Sequence, residues 1–356
     1  MAKLKAGVIG LGMGWNHLAG YMSHPDVEVV AVADRREERR ERAKKEYNPP
    51  KIYNEGIDMI RKEKLDILSV AVPNNQHKDL TIAGLKAGAN VLCEKPMAMS
   101  AAEAQEMLDT AKKCGLKLGI DFSYRFNPQS RAMKDLIEAG KLGAIYYARS
   151  VWLRRRGVPG LASGFNTNAT GAMGSWFFDK KQSGGGPLID LGVHRLDLAL
   201  WLMGYPEPAW VMGSTYCKLA KEMAAKRGLD YTVEDFACAT IKFKNGATLE
   251  LDASWASNIK ENEQMSTRLI GDKGGLYQEN LNEGYTYDAE YYTEMDEKQF
   301  DCRLHSSQER GSAFHLFVNA VRDNTPFLVR PEDGVIVMRL LDAIYESDRT
   351  GAPVKF

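Results

Sequence analysis

One segment of the chain carries three groups able to move protons on an otherwise apolar helix. Gly184-Gly185-Gly186-Pro187 leads into Leu188 to Leu202, in which Asp190, His194 and Asp197 recur at i, i+4 and i+7 and so share one face. Burying two carboxylates and an imidazole is costly unless they pair or face a wet cavity. Asp190 and His194 are therefore candidates for proton transfer at a substrate, and Asp197 reads as part of a hydrogen-bonded network holding the helix in place. Asp and His at this spacing can also ligate zinc, but no third ligand is evident and no metal is expected. Arg195, the lone polar residue off the stripe, reads as a salt-bridge partner at most.

A second group of residues points to a dinucleotide. Gly10-Leu11-Gly12-Met13-Gly14 follows the first apolar run and precedes a helical stretch. Glycines at such a turn let the backbone approach a pyrophosphate, which the helix N-terminus attracts. The spacing departs from G-x-G-x-x-G: Trp15 stands where the third glycine belongs, with Gly14 one place early. Asp34 ends the second apolar run, 24 residues after Gly10, where a carboxylate can accept from both ribose hydroxyls. Its charge would repel a 2′-phosphate and so favours NAD. NADP stays open because Arg35 and Arg36 follow, and a guanidinium can hold that phosphate or stack on adenine. Two later runs end in Val72-Pro73-Asn74-Asn75-Gln76-His77 and Glu94-Lys95-Pro96, at the edge along which a dinucleotide must lie. A lysine such as Lys95 beside a positive nicotinamide ring is placed to take part in proton transfer.

The elements that must position these residues differ between the two parts of the chain. Up to residue 122, Lys5 to Ile9, Val27 to Ala33, Asp66 to Val72, Asn90 to Cys93 and Lys117 to Phe122 read as strands. They are nearly continuous in apolar residues, as in strands covered by helices on both faces. Ser100-x-x-Glu103 is a capping box opening one of the helices between them. Alternating strands and helices predict a doubly wound α/β sheet with ligands at the carboxyl ends of its strands. From residue 123 to 356 the pattern becomes Ala144 to Leu153, Ala209 to Tyr216, Asp235 to Phe243, Ala247 to Trp255 and Ser266 to Ile270, a meander of antiparallel type with helices around it. Asn245-Gly246 between two of these runs suits a type I′ hairpin turn. Helices are expected over Ser306 to Asn324 and Pro331 to Arg349, the last of them packing back on the first domain. Gly157 to Pro187 reads as a glycine-rich loop bordering a site, and the acidic, tyrosine-rich Asn282 to Cys302 as an extended hairpin used in subunit contact.

Composition excludes several classes. The chain has 356 residues, 44% hydrophobic and 26% charged, which suits a two-domain globular protein and not a disordered one. Lys+Arg and Asp+Glu both number 47, so no global charge draws it to nucleic acid or to an acidic membrane. No apolar run approaches a membrane span and no signal peptide is evident. Five scattered cysteines without a C-x-x-C pair argue against a disulfide framework and a thiolate zinc site, and a cytoplasmic location is expected.

Five motifs in order, G-x-G, P-N-x-x-H (Pro73, Asn74, His77), E-K-P (Glu94 to Pro96), R-F-N-P (Arg125 to Pro128) and G-G-G-x-L-x-D-x-G-x-H-x-x-D (Gly184 to Asp197), make the chain resemble the Gfo/Idh/MocA oxidoreductases over nearly its whole length. The resemblance implies a Rossmann domain, then an α/β domain with a large, open, mostly antiparallel sheet that often assembles homodimers or homotetramers. It implies NAD or NADP and oxidation of a secondary alcohol on a sugar, inositol or related ring, or the reverse. By position, Lys95 is the catalytic lysine before a typically cis Lys-Pro bond, and Asp190 and His194 are the substrate-side pair; either Lys95 or His194 can be the base. Gly10 to Gly14, Asp34, Arg35, Val72, Pro73, Asn74, His77, Glu94 and Lys95 would line the cofactor. Tyr124, Arg125, Arg154 and Trp176 are candidate substrate walls, although a charge run such as Arg154 to Arg156 is usually tied in salt bridges. Two alternatives remain: a glycoside-processing enzyme in which ring oxidation enables elimination with bound NAD, and a non-catalytic NAD-binding sensor.

Overall fold

The five apolar runs of the first third, with one short added strand, form six parallel strands: β1 (Leu4–Ile9), β2 (Val27–Ala33), β3 (Lys51–Tyr53), β4 (Ile67–Val70), β5 (Asn90–Cys93) and β6 (Leu118–Ile120). The computed structural model describes residues 2–161, 174–305 and 311–356. The strand order is β3-β2-β1-β4-β5-β6, so the winding reverses between β1 and β4, and that switch point is where doubly wound sheets bind ligands. The short β3 carries no apolar run of its own and has no counterpart in the sequence reading. Helices α1 (Gly14–Met22), α2 (Glu37–Tyr47), α3 (Gly56–Lys62), α4 (His77–Lys86) and α5 (Ala101–Cys114) make the crossovers. The capping-box Ser100 accepts from Glu103 N at 3.3 Å, while the Glu103 carboxylate reaches Met99 N at 3.1 Å.

The chain divides into two compact units, Met1–Phe122 with Gly311–Met338, and Ser123–Arg310 with Arg339–Phe356. In the first, the Ala313–Arg322 helix sets Phe314 against His17 and Tyr21.

The second unit is built on nine strands: β7 (Ile145–Arg154), β8 (Pro208–Tyr216), β9 (Phe236–Phe243), β10 (Thr248–Ser254), β11 (Glu263–Gly271), β12 (Gly275–Asn280), β13 (Tyr287–Met295), β14 (Lys298–Arg303) and β15 (Val354–Lys355). Their order is β14-β13-β12-β11-β7-β10-β9-β8-β15. The sheet is mixed, since β7 pairs parallel with β10 and antiparallel with β11. The hairpin between β9 and β10 corrects the expected turn. Gly246 has φ +89° but Asn245 is not left-handed. The Asn245 side chain accepts from Ala247 N at 3.0 Å, giving a three-residue loop that ends on a left-handed glycine. A turn with two left-handed residues occurs instead at Asp296 and Glu297, between β13 and β14. The β13–β14 ribbon is the hairpin expected over the tyrosine-rich segment.

Candidate active site

In the first unit, the glycine turn is fitted to a close backbone approach. Gly10 has φ +86°, and a Cβ there would collide with the Ala71 carbonyl oxygen. The missing third glycine finds its explanation one residue earlier. A Cβ on Gly14 would lie 3.1 Å from both Val8 and Ala71, so Gly14 provides the close helix–strand packing. Trp15 points away, its ring 5.3 Å from that of Tyr47 and 3.7 Å from the Arg42 guanidinium carbon. Asp34 braces the turn: Oδ2 accepts Leu11 N at 2.7 Å and Oδ1 accepts Arg36 N at 2.8 Å. Gly12 and Met13 lie at the turn's tip, where Met13 is exposed. Arg39 also reaches Asp34 Oδ2, at 3.4 Å, and its guanidinium lies over Gly12. Sequence reading passed over it because it sits inside an Arg/Glu-rich helix. Arg35 turns to Glu55, with Nε 3.1 Å from both carboxylate oxygens.

The two motif loops at the far side of the switch point are tied together by His77. It is fully buried, with Nδ1 2.8 Å from the Pro96 carbonyl and Nε2 2.9 Å from that of Val72. Burial holds its pKa below the usual value, so the ring is neutral and donates to one carbonyl at a time. That position corrects the expectation of a cofactor contact: His77 shapes the strand edge from inside. Asn74 is also buried, while Val72 and Pro73 are half-buried in the same loop. Lys95 is partly exposed after β5, at a cis Lys95-Pro96 bond, with its N–H donated to Glu94 Oε2 at 3.2 Å.

In the second unit, the polar stripe divides. Leu188–Gly192 forms a π-turn ahead of the Val193–Met203 helix, a widening that occurs often at functional sites. Asp190 sits on that turn and its Oδ2 accepts from Trp255 Nε1 at 3.0 Å. His194 packs its ring against Tyr124, centroids 5.0 Å apart, and against Trp152 at 5.8 Å. Asp197 is instead fully committed. Its carboxylate takes Arg125 Nε at 2.9 Å and the Tyr205 hydroxyl at 2.8 Å. This corrects Arg125 as a substrate wall, since it is 0% exposed and fastens the 123–126 turn to the helix. Arg195 makes no salt bridge among the described residues. Buried, it donates to the Tyr287 hydroxyl at 3.0 Å and lies over the rings of Tyr124, Trp152 and Tyr287, 4.5 to 5.5 Å from their centroids.

Arg154 pairs with Glu263 at 2.7 Å and donates to the Tyr285 hydroxyl at 2.8 Å, in line with the salt-bridge reading. Tyr124 and Trp176 are partly buried against an apolar cluster that includes Trp152, Phe177 and Trp255. Burial keeps the Tyr124 hydroxyl well above its ordinary pKa, so it stays protonated at neutral pH and is no base. Part of the glycine-rich loop, 162–173, and with it the Asn168-Ala169-Thr170 sequon, lies outside the described residues.

The π-turn is held from below by a carboxylate that sequence reading missed. Glu234 Oε1 accepts from Gly186 N at 2.9 Å, Leu188 N at 3.1 Å and the Tyr345 hydroxyl at 2.9 Å. A side chain on Gly185 or Gly186 would overlap Tyr345 or Glu234, which accounts for the glycine run. Burial raises the Glu234 pKa in spite of those donors. A carboxyl raised in the fold favours folding below its unfolded pKa, about 4.3, and loses that advantage as pH rises through the folded value. Glu234→Gln keeps an acceptor and removes the titration. Its melting temperature relative to wild type is expected to shift upward between about pH 4 and pH 7; a difference constant with pH would contradict this.

A doubly wound dinucleotide-type sheet followed by a mixed nine-stranded sheet defines a two-domain oxidoreductase architecture. Residues 4–122 match the NAD-binding Rossmann fold of the oxidoreductase family and residues 134–356 its C-terminal alpha/beta domain, so the chain belongs to the Gfo/Idh/MocA oxidoreductases. It is 32% identical to D-glucoside 3-dehydrogenase of Escherichia coli (strain K12), covering 99% of this chain and 97% of that protein. It is 26% identical to myo-inositol 2-dehydrogenase of Thermotoga maritima, covering 95% and 94%. Levoglucosan dehydrogenase in complex with NADH and L-sorbose shares the fold, with TM-score 0.85 at 22% identity over 100% of this chain and 99% of that one. No helix among the described residues is long and apolar enough to cross a membrane.

Proposed function

We propose that the chain oxidises a secondary ring hydroxyl of a sugar, with a D-glucoside oxidised at carbon 3 as the leading substrate, or runs the reverse reduction. The observation that carries this reading is the 32% identity to D-glucoside 3-dehydrogenase across 99% of the chain, with Lys95, Asp190 and His194 all present. The residues fit NAD: a glycine turn whose Gly10 and Gly14 let the backbone pack closely on Ala71 and Val8 ahead of a helix N-terminus, and a carboxylate at Asp34 where ribose hydroxyls would lie. Bound there, NAD supplies the hydride acceptor.

The side chains supply the rest. His194, beside two aromatic rings and with limited water access, accepts the proton of the reacting hydroxyl. Asp190, anchored by Trp255, orients the sugar by accepting from a neighbouring hydroxyl. Lys95 donates to the reacting oxygen and steadies the negative charge that builds on it. Asp34 makes NAD the preferred cofactor, and the open nine-stranded sheet is the surface assigned to self-assembly. His194→Ala is expected to lower kcat with methyl β-D-glucoside and NAD by about 10²- to 10⁴-fold. Unchanged turnover in stopped-flow NADH fluorescence would remove His194 from the role of base.

A further inference from the structure

A second polar cluster lies hidden behind the switch-point edge of the first sheet, and the reaction described above leaves it without a role. His17, on α1, is fully buried, with the Phe314 ring centroid 4.5 Å from its own. Its Nε2 lies 3.1 Å from Oε1 of Glu94 and 3.7 Å from Oδ2 of Asp121. Carboxylates only accept, so Nε2 carries the hydrogen and donates it to Glu94. On the opposite edge, Nδ1 lies 2.9 Å from Ser69 Oγ, which is itself 2.8 Å from the Tyr21 hydroxyl. Burial pushes the Tyr21 pKa far up, so that hydroxyl stays protonated. Tyr21, Ser69, His17 and Glu94 thus form one buried chain, and its last link is the bond that the Lys95 main-chain N–H donates to Glu94 Oε2.

We propose that His17 is a positioning residue for Lys95: it fixes the Glu94 carboxylate so that Oε2 receives the Lys95 N–H, and thereby sets the turn that presents the Lys95 side chain. The inference rests on the reading of Lys95 given above. Burial by itself would raise the Glu94 pKa, but the His17 hydrogen bond and the neighbouring Lys95 charge outweigh it and hold the pKa below the usual value. Without the His17 donor, a buried carboxylate has to take up a proton or turn toward another partner, and either change loosens its hold on Lys95. His17, Glu94 and Asp121 also bring one ligand atom each within 4.8 Å of the others, a donor set that zinc accepts. The hydrogen on Nε2, set by two facing carboxylates, makes the cluster a hydrogen-bonded device, and the test includes the metal alternative.

The experiment compares wild type, His17→Leu and His17→Gln, the last of which keeps an N–H donor near Nε2. In the cofactor-free protein, amide exchange at Lys95 followed by NMR should be about tenfold or more faster in His17→Leu, with the β1 amides unchanged and His17→Gln near wild type. With methyl β-D-glucoside, kcat should fall by a similar factor in His17→Leu while the KM for NAD moves only a few-fold. In a Lys95→Ala background, His17→Leu should add nothing further. Unchanged Lys95 exchange, or a loss additive with Lys95→Ala, overturns the proposal. So does elemental analysis finding about one metal ion per chain in wild type. Should His17→Leu fail to fold, His17→Asn, too short to reach Glu94, takes its place with the same readings expected. Full turnover by Lys95→Ala would sink the functional reading alone, leaving the exchange result to stand.

Discussion

Lys95→Ala loses turnover by about 10²- to 10⁴-fold and keeps its NAD dissociation constant within a few-fold. The expectation follows from position. Lys95 is the partly exposed residue at the end of β5, one place beyond a carboxylate that holds its main chain. The glycine turn and Asp34, proposed to carry the binding of the dinucleotide, follow directly after β1 and β2. In the proposed role, removing the ammonium takes away the donor that steadies charge on the substrate oxygen and leaves the glycine turn and Asp34 as they are. Titration of tryptophan fluorescence with NAD, beside initial rates, separates the two effects. A variant that turns over normally, or one that no longer binds NAD, contradicts the assignment.

The second large effect is on stability. Asp197→Ala leaves the Arg125 guanidinium buried and without its carboxylate, both side chains being at most 1% exposed. Breaking such a pair costs about 3–5 kcal/mol, because the remaining charge has no water to turn to. The double variant Arg125→Met/Asp197→Leu replaces the pair by apolar groups and is expected to recover most of that loss. Denaturant unfolding of the three proteins measures it. A loss below about 1 kcal/mol for Asp197→Ala would mean that the 123–126 turn relaxes and hydrates Arg125.

The first unit was legible because its code is local. Unbroken apolar runs, a capping box and a glycine turn each act within a few residues, and β1, β2, β5 and α5 lie where these signals put them. The second sheet was harder. Its antiparallel meander could be read from alternation, but the parallel pairing of β7 with β10 joins segments about a hundred residues apart and leaves no local trace. The Asn-Gly turn shows a similar limit, since the Asn245 side chain captures Ala247 N and selects a different loop. Among the site candidates, spacing along one helix face marked Asp190 and His194, and the end of an apolar run together with the family resemblance marked Lys95, whereas the buried partners of Arg125, His77 and Arg195 had no signature in the sequence. Those partners, Asp197, the Val72 and Pro96 carbonyls, and an aromatic surround, come from other elements. Glu234 and His17 carried no motif at all; only folding brings them to the π-turn and to Glu94.

The group that the chain is proposed to oxidise is a sugar ring hydroxyl. NADH fluorescence after mixing the purified protein with NAD and a panel of glucosides, free sugars and inositols tests this most directly, with His194→Ala run alongside. A rise with D-glucosides is expected in wild type and not in His194→Ala, with a 3-keto product in the same mixtures. Silence across the panel with NAD binding demonstrated, or an equal signal from both proteins, would contradict it.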